Sequence, residues 1–308
     1  MMQGHAPRQQ GVALITAMAV VAVAVSAAAF LAFDQQLGIR QSHNLLAHDQ
    51  AMEYVHAAEG LALIALMEDD PGVDSPDEAW AQPASLALSD QAMIAGQIID
   101  LQGRFNLNSL LTADGKLDGV ALARLERLLA TLELSPELAA AIVDWIDADR
   151  EPQGTYGAED DSYTRLDPSY LPPNARMLST TELRLVAGID EEGYQRLASQ
   201  VTALPDATPI NINTASPELL AAIGIPEDAI TSVLEARAAT PFASVDALFA
   251  LPAVKGSGIE RTGLSVSSRH FALYSQVRFA SAELSLSSLI RREESGTLKI
   301  LHRRQELF

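Results

Sequence analysis

The densest concentration of reactive side chains lies in Asp144–Tyr163, DWIDADREPQGTYGAEDDSY. Asp144, Asp147, Asp149, Glu151, Glu159, Asp160 and Asp161 place seven carboxylates within 20 positions, broken by Pro152, Gly154 and Gly157. So many like charges in one ordered loop repel each other unless a cation neutralises them. Calcium accepts roughly six to eight oxygens in flexible geometry, which carboxylates and turn carbonyls supply. The stretch has no His and the chain no Cys, which disfavours zinc and excludes disulfides and thiol catalysis. The loop is not an EF-hand: with Asp147 at the first position, Pro152 stands where Gly is required and Ala158 where the bidentate Glu belongs. A solvated acidic loop has the same composition.

Other chemistry is thinly represented. Neither G-x-S-x-G nor H-E-x-x-H occurs, and Gly256-Ser257-Gly258 is an ordinary loop signal. His43, His48 and His56 read as exposed polar positions. A carboxylate pair can hydrolyse glycosides, yet the only sugar platforms near the loop are Trp145, Tyr156 and Tyr163. With 40 Asp+Glu against 21 Lys+Arg in 308 residues, the net charge of −19 argues against nucleic acid.

The elements that carry this loop begin in lipid. From Val12 to Phe33 no residue is charged, a run of 22 residues. At ~1.5 Å per residue it spans about 33 Å of helix, enough to cross a bilayer core. Arg8 before it and Asp34 after it point to a cytoplasmic amino end. Ala27-Ala28-Ala29 offers a signal-peptidase site, but the run is long for a signal core and the helical pattern continues past Asp34 to Met67. The pattern predicts one helix of roughly 55 residues, half in lipid and half amphipathic. A short polar leader ending in Gly11 before such a helix resembles the class III signal of type IV pilins and pseudopilins. That resemblance implies cleavage by prepilin peptidase between Gly11 and Val12, then N-methylation. Most of that superfamily has Glu at the fifth mature position; here it is Thr16. A carboxylate in lipid is costly unless paired. Thr16 avoids that cost and forgoes the family's contact with a neighbouring subunit, which suits a subunit with none above it.

Beyond an acidic loop at Glu68–Asp77, Ala92–Ile99 reads as a strand, with Gln102-Gly103 turning it into a partner within Gln97–Asn108. Helical signals prevail from Ser109 to Gly263. The strand patterns HFALYSQVRF, AELSLSSLIRR and TLKILHRR follow, with a turn at Glu294-Ser295-Gly296. The helical stretch contains a candidate duplication. Asn106-Leu107-Asn108-Ser109 matches Asn211-Ile212-Asn213-Thr214, and Pro136-x-x-Ala139 matches Pro226-x-x-Ala229. Two unrelated helical hairpins with similar caps fit equally. The second copy resembles a helix-hairpin-helix, but Pro226 lacks an N–H and Glu227 and Asp228 put negative charge where a phosphate would sit.

The order Asp-Trp-Ile-Asp-x-Asp-x-x-Pro, then Gly-Ala-Glu-Asp, over residues 144–163 is similar to the hallmark stretch of the general secretion pathway protein K family, the large minor pseudopilins of type II secretion. The resemblance spans nearly the whole chain. It implies an α+β, type IV pilin-like fold, in which a long N-terminal helix packs on an antiparallel sheet and a large all-α domain with helix-hairpin-helix-like repeats is inserted. The expected division is a leader at 1–11, the helix at 12–67, the first part of the sheet domain at 68–108, the insertion at 109–263 and terminal strands at 264–308. It implies calcium as the cofactor. Asp147, Asp149, Glu159, Asp160 and Asp161 are the ligand candidates; Asp144 is the weaker one, facing solvent or capping the preceding helix. It further implies a non-enzymatic, single-pass inner-membrane protein with a periplasmic head. That head caps a secretion filament and helps start its assembly. The implied partners are I- and J-type minor pseudopilins, the major pseudopilin, prepilin peptidase and secreted cargo, and no nucleic acid. Two other classes remain open at this stage: a secreted calcium-dependent enzyme with a cleaved signal, and a DNA-uptake adaptor. The adaptor requires a basic face on 205–262, where seven acidic residues meet three basic ones.

Overall fold

The computed structural model describes residues 10–305, with side chains from Val12 onward; most of the expected leader, residues 1–9, lies outside the described residues. The first element is α1 (Gln10–Met67), one unbroken helix. From Val12 to Leu46 every residue is exposed. Its apolar window has a mean hydropathy of 2.5, and the helix is long and apolar enough to cross a membrane. Thr16 Oγ1 donates to the carbonyls of Val12 and Ala13 at 3.1 and 3.0 Å, so its hydroxyl is satisfied within its own helix. From Ala47 a stripe at Ala51, Val55, Ala58, Ala62 and Leu66 is buried, the three-to-four-residue spacing of a helix laid on a sheet.

That sheet comprises β1 (Ala84–Ser89), β2 (Ala92–Asp100), β7 (His270–Phe279), β8 (Ala282–Arg292) and β9 (Leu298–Gln305), antiparallel throughout in the order β1-β2-β7-β8-β9. Ile94, Val277, Leu284 and Leu286 pack under the nearer half of the α1 stripe, and Ile98, Phe271, Leu273 and Ile290 under the farther half with Trp80. The three terminal strands fall where their alternation places them, with Gly296 at φ +81° in the expected turn.

Two expectations are corrected. β1 was not anticipated: all six of its residues are exposed, so burial imposes no alternation on it. Gln102-Gly103 does not reverse β2 into a partner, because β2 pairs with β1 and β7 instead. Gly103 serves a crossing: a Cβ there would lie 2.7 Å from Thr214 Oγ1 and 2.8 Å from the Thr214 carbonyl.

Between β2 and β7 the chain builds the helical unit. It holds β3 (Phe105–Asn106), α2 (Gly119–Thr131), α3 (Leu138–Ile146), α4 (Asp160–Tyr163), α5 (Glu191–Ala198) and β4 (Val201–Thr202). It continues through β5 (Ile210–Asn211), α6 (Pro217–Ile223), α7 (Glu227–Ala239), α8 (Val245–Ala250) and β6 (Leu264–Ser265). Phe105, Leu107 and Leu110 belong to its core with Leu125, Ile142 and Leu219, so it extends beyond the expected 109–263 and occupies residues 101–269.

The duplicated motif is built twice in the same way. β3 pairs in parallel with β4, and β5 with β6. In each copy the first Asn turns the chain, its side-chain oxygen accepting the N–H of the second, Asn106 from Asn108 and Asn211 from Asn213. The second Asn then clasps one residue of a returning loop by both backbone groups. Asn108 accepts from Met177 N–H at 2.9 Å and donates to its carbonyl at 2.8 Å; Asn213 does the same to Phe242 at 2.9 and 3.1 Å. A buried amide thereby imitates a strand neighbour.

Candidate metal centre

α3 delivers the acidic loop. Its apolar residues Ile142, Val143 and Ile146 are buried, which fixes the rotation of the helix and turns Asp144 inward as well. Asp144 neither faces solvent nor caps the helix. It is fully buried and accepts the N–H of Gln153 at 2.9 Å and of Ala158 at 2.6 Å, folding the loop back over itself. Burial raises its pKa, and the two N–H bonds oppose the rise. Gly157 allows this closure, since a Cβ there would collide with Asp144 Oδ2 and Gln153 N.

The closed loop brings Asp147, Asp149 and Glu159 together, one carboxylate oxygen from each lying within 4.8 Å of the others. Asp147 Oδ1 and both Glu159 oxygens are buried without any hydrogen-bond partner, and Glu159 is only 5% exposed. Burial first, then Asp149 and Asp144, pushes Asp147 up to about 6; burial first, then Asp144 and Asp147, pushes Glu159 up to about 7. Among the described residues no Lys, Arg or His forms an ion pair with these three. Asp160 and Asp161 fall outside the group: Asp160 faces Arg150 at 3.5 Å, and Asp161, 93% exposed at its side chain, faces Arg165 at 3.7 Å. Glu151 is exposed.

A second trio, Asp69, Asp74 and Glu78, meets the same spacing but is already compensated. Arg292 pairs with Asp74 at 2.9 Å and Asp69 at 3.0 Å, while Glu78 accepts from Ser75 N–H and Trp80 Nε1–H. A guanidinium offsets the charge there, whereas among the described residues the first group has no such partner. The donors are all oxygens, Asp147 Oδ1 and those of Glu159 buried and without a partner, while Asp149 is exposed and accepts the Glu151 N–H at 2.8 Å; such a set fits calcium.

Trp145 and Tyr163 are buried, their rings edge to face at 5.4 Å, so neither offers a face to a sugar. Tyr156 is exposed. Two residues of this region escaped sequence reasoning. Asn174 donates from Nδ2 to the carbonyl of Asp149 at 2.9 Å, and Glu182 accepts from Trp145 Nε1–H at 3.1 Å. Both lie more than twenty residues from their partners and carry no local signal.

Family models described as type II secretion system (T2SS) protein K match residues 103–206 and 210–267. Type II secretion system protein K of Pseudomonas aeruginosa is 36% identical over 96% of this chain and 92% of its own length. That of Klebsiella pneumoniae is 32% identical over 98% of each. A chain in the crystal structure of the GspK-GspI-GspJ complex from the enterotoxigenic Escherichia coli type 2 secretion system superposes with a TM-score of 0.78 at 28% identity, covering 87% of this chain and all of that one. The fold, the inserted helical unit and these likenesses agree: the chain belongs to the type II secretion system protein K family, whose members are minor pseudopilins.

Proposed function

We propose that this chain caps the tip of a type II secretion pseudopilus and helps to start its assembly, as a structural, non-enzymatic subunit. Residues 12–33 anchor it in the inner membrane, with the sheet and helical unit in the periplasm. The observation that carries the reading is the helical unit at residues 101–269, inserted between two neighbouring strands of the sheet. A head of that breadth at one end of a rod leaves no room for an identical subunit stacked above it, which a shaft requires. Thr16 supports the same placement, because its hydroxyl is spent on its own helix and offers no charge to a neighbour. By likeness to the complex above, the I- and J-type minor pseudopilins are its immediate partners. The major pseudopilin below and cargo above are further candidates. Prepilin peptidase would cut between Gly11 and Val12. The twice-built Asn-x-Asn unit supports kinship with helix-hairpin-helix repeats; with Glu227 and Asp228 in the first turn of α7, that kinship does not extend to binding nucleic acid.

The absence of Cys makes cross-linking clean. A single V20C substitution, paired with a matching cysteine in each candidate partner and oxidised in membranes, is expected to yield adducts with I- or J-type chains. A ladder of adducts between copies of this chain would identify a shaft subunit and overturn the reading.

Calcium is the ion the loop suits, held by Asp147, Asp149 and Glu159. When bound it would supply positive charge that lets the buried Glu159 and Asp147 oxygens and the exposed Asp149 lie close together, and so would lock the loop between α3 and α4.

A further inference from the structure

Eight buried side-chain polar atoms among the described residues have no hydrogen-bond partner, and one of them, Arg124 Nε, belongs to a guanidinium. Arg124 stands on α2 and is only 4% exposed. Its Nη2–H donates to the Glu260 carbonyl at 2.8 Å; among the described residues it makes no other hydrogen bond and no ion pair. A guanidinium does not give up its proton in a protein, so this charge can only be met by a partner. Burial first and then Arg127 act against the charge, and Asp118 and Glu260 offset it only at a distance. Both carboxylates are engaged elsewhere. Asp118 Oδ1 caps α2 by accepting the Val120 and Ala121 N–H groups, and Glu260 accepts the N–H and hydroxyl of Thr262. Arg292 is equally hidden, yet it pairs with both Asp69 and Asp74. Arg124 is the buried cation left without a counter-charge.

Arg124 lines a recess of about 230 Å³ in the seam between the two copies of the Asn-x-Asn motif, where Phe105 of β3, Ile210 of β5 and the first turn of α2 meet. Its Nη1, which makes no bond, lies against Gly263 of the same lining, where a Cβ would stand 3.0 Å from it. Phe105, Val120 and Ile210 give the recess hydrocarbon surface as well. Whichever of its two protons Nη2 gives to Glu260, one edge of the guanidinium keeps two parallel N–H groups, the fork that a carboxylate accepts. A phosphate dianion fits less well. Asp118 also lines the recess, and the net charge of −19 repels two negative charges more than one.

We propose that this recess binds a monocarboxylate carried on a small aliphatic group, with the Arg124 guanidinium gripping the carboxylate and Phe105, Val120 and Ile210 surrounding the hydrocarbon. A free short-chain acid and the C-terminal residue of a peptide share that chemistry. The bound carboxylate supplies the counter-charge that the fold itself does not, so it stabilises the helical unit at the seam between its two halves. The proposal is independent of the calcium reading above, because none of the acidic-loop carboxylates lines the recess.

The test uses the full chain in detergent micelles at constant ionic strength, with isobutyrate and isobutyramide as probes, read by saturation-transfer NMR and by melting temperature. The probes share a shape and differ in charge. Isobutyrate is expected to bind at least about 10-fold more tightly than isobutyramide and to raise the melting temperature. Arg124→Met removes the charge while keeping most of the volume, and is expected to erase that preference without lowering the unfolding midpoint. Val120→Phe leaves Arg124 in place and narrows the recess, and is expected to weaken isobutyrate binding roughly 10-fold or more. Equal binding of the two probes by the parent, or a preference that survives Arg124→Met, would overturn the proposal. Phosphate that displaces isobutyrate at equal concentration would overturn it too. The source of the carboxylate is read with acetyl-Ala-Val bearing a free C-terminus. Binding about 10-fold tighter than isobutyrate marks a peptide end, and binding no tighter marks a free acid; both uphold the carboxylate site.

Discussion

Arg303, near the end of the last strand, grips Glu59 on the long helix through two parallel hydrogen bonds, Nε to Oε1 at 2.7 Å and Nη2 to Oε2 at 3.0 Å, across 244 positions of sequence. Ser288 of β8 donates to the same Oε1 at 2.6 Å. Burial alone would raise the Glu59 pKa, but Arg303 and Ser288 outweigh it and hold the group below its usual value. The pair pins the helix to the far edge of the sheet, at the level where the helix leaves its exposed half behind. Its side chains differ in exposure, 4% for Glu59 against 48% for Arg303, and this makes the pair asymmetric. Arg303→Ala strands a buried carboxylate, whereas Glu59→Gln frees an arginine that reaches water. Arg303→Ala should cost about 2–3 kcal/mol and Glu59→Gln less than about half of that, read from denaturant unfolding in micelles. Equal costs would contradict the asymmetry.

Gly157→Ala should damage the acidic loop from a distance. The new Cβ collides with Asp144 Oδ2 and Gln153 N, so the loop must open. Overpacking of this kind costs typically about 1–3 kcal/mol. The more telling readout is calcium uptake, which should fall although no ligand has been changed. Undiminished uptake would show that loop closure does not gather the carboxylates.

Calcium should stabilise the head by binding only its folded form. At about 100 times the dissociation constant, mass action gives roughly 2.7 kcal/mol, a rise in melting temperature of several degrees that chelation reverses. Asp147→Asn together with Glu159→Gln should erase the rise and leave the chelated protein no less stable, because two crowded charges are gone. A calcium-induced rise that survives the double substitution would place the ion elsewhere.

His270 makes stability depend on pH. It is 3% exposed, and its Nδ1 lies 3.4 Å from Gln102 Oε1, an oxygen that also accepts the Arg269 N–H. Burial first, then Arg291 and Arg269, pushes its pKa down to about 4. The unfolded chain takes up a proton near pH 6.5 and the folded chain does not until near pH 4, so stability present above pH 6.5 is lost as pH falls through that window. Between pH 7 and pH 5 the loss is about 2 kcal/mol. Asp74, raised to about 7 chiefly by burial, acts in the opposite sense. The difference between the parent and His270→Phe cancels it, and should shrink by that amount on acidification. A pH-independent difference would refute the assignment.

Thr16 should tolerate Val and resist Glu. Its hydroxyl bonds only to Val12 and Ala13 carbonyls, so Thr16→Val loses little. Thr16→Glu adds a carboxylate within the apolar run at about 2.5–3.5 kcal/mol by insertion scales, and membrane integration measured by alkaline extraction should fall accordingly.

The long helix, the three terminal strands and the acidic loop were legible from the sequence because each is written in neighbouring residues. A 22-residue uncharged run, two-residue alternation and carboxylates crowded between Pro and Gly need no knowledge of the rest of the chain. β1 was not legible, since an edge strand exposed on both faces carries no burial pattern. Sequence alone could nominate Asp144, Asp147, Asp149, Glu159, Asp160 and Asp161 for the ion but not sort them. Tertiary structure buried Asp144 under its own loop, gathered Asp147, Asp149 and Glu159, and turned Asp160 and Asp161 toward arginines. It also brought Asn174 to Asp149, Asn211 to Asp100 and Arg303 to Glu59, across 25, 111 and 244 positions. Those meetings depend on how helices and sheet pack, and packing is a property of the whole chain rather than of any window within it.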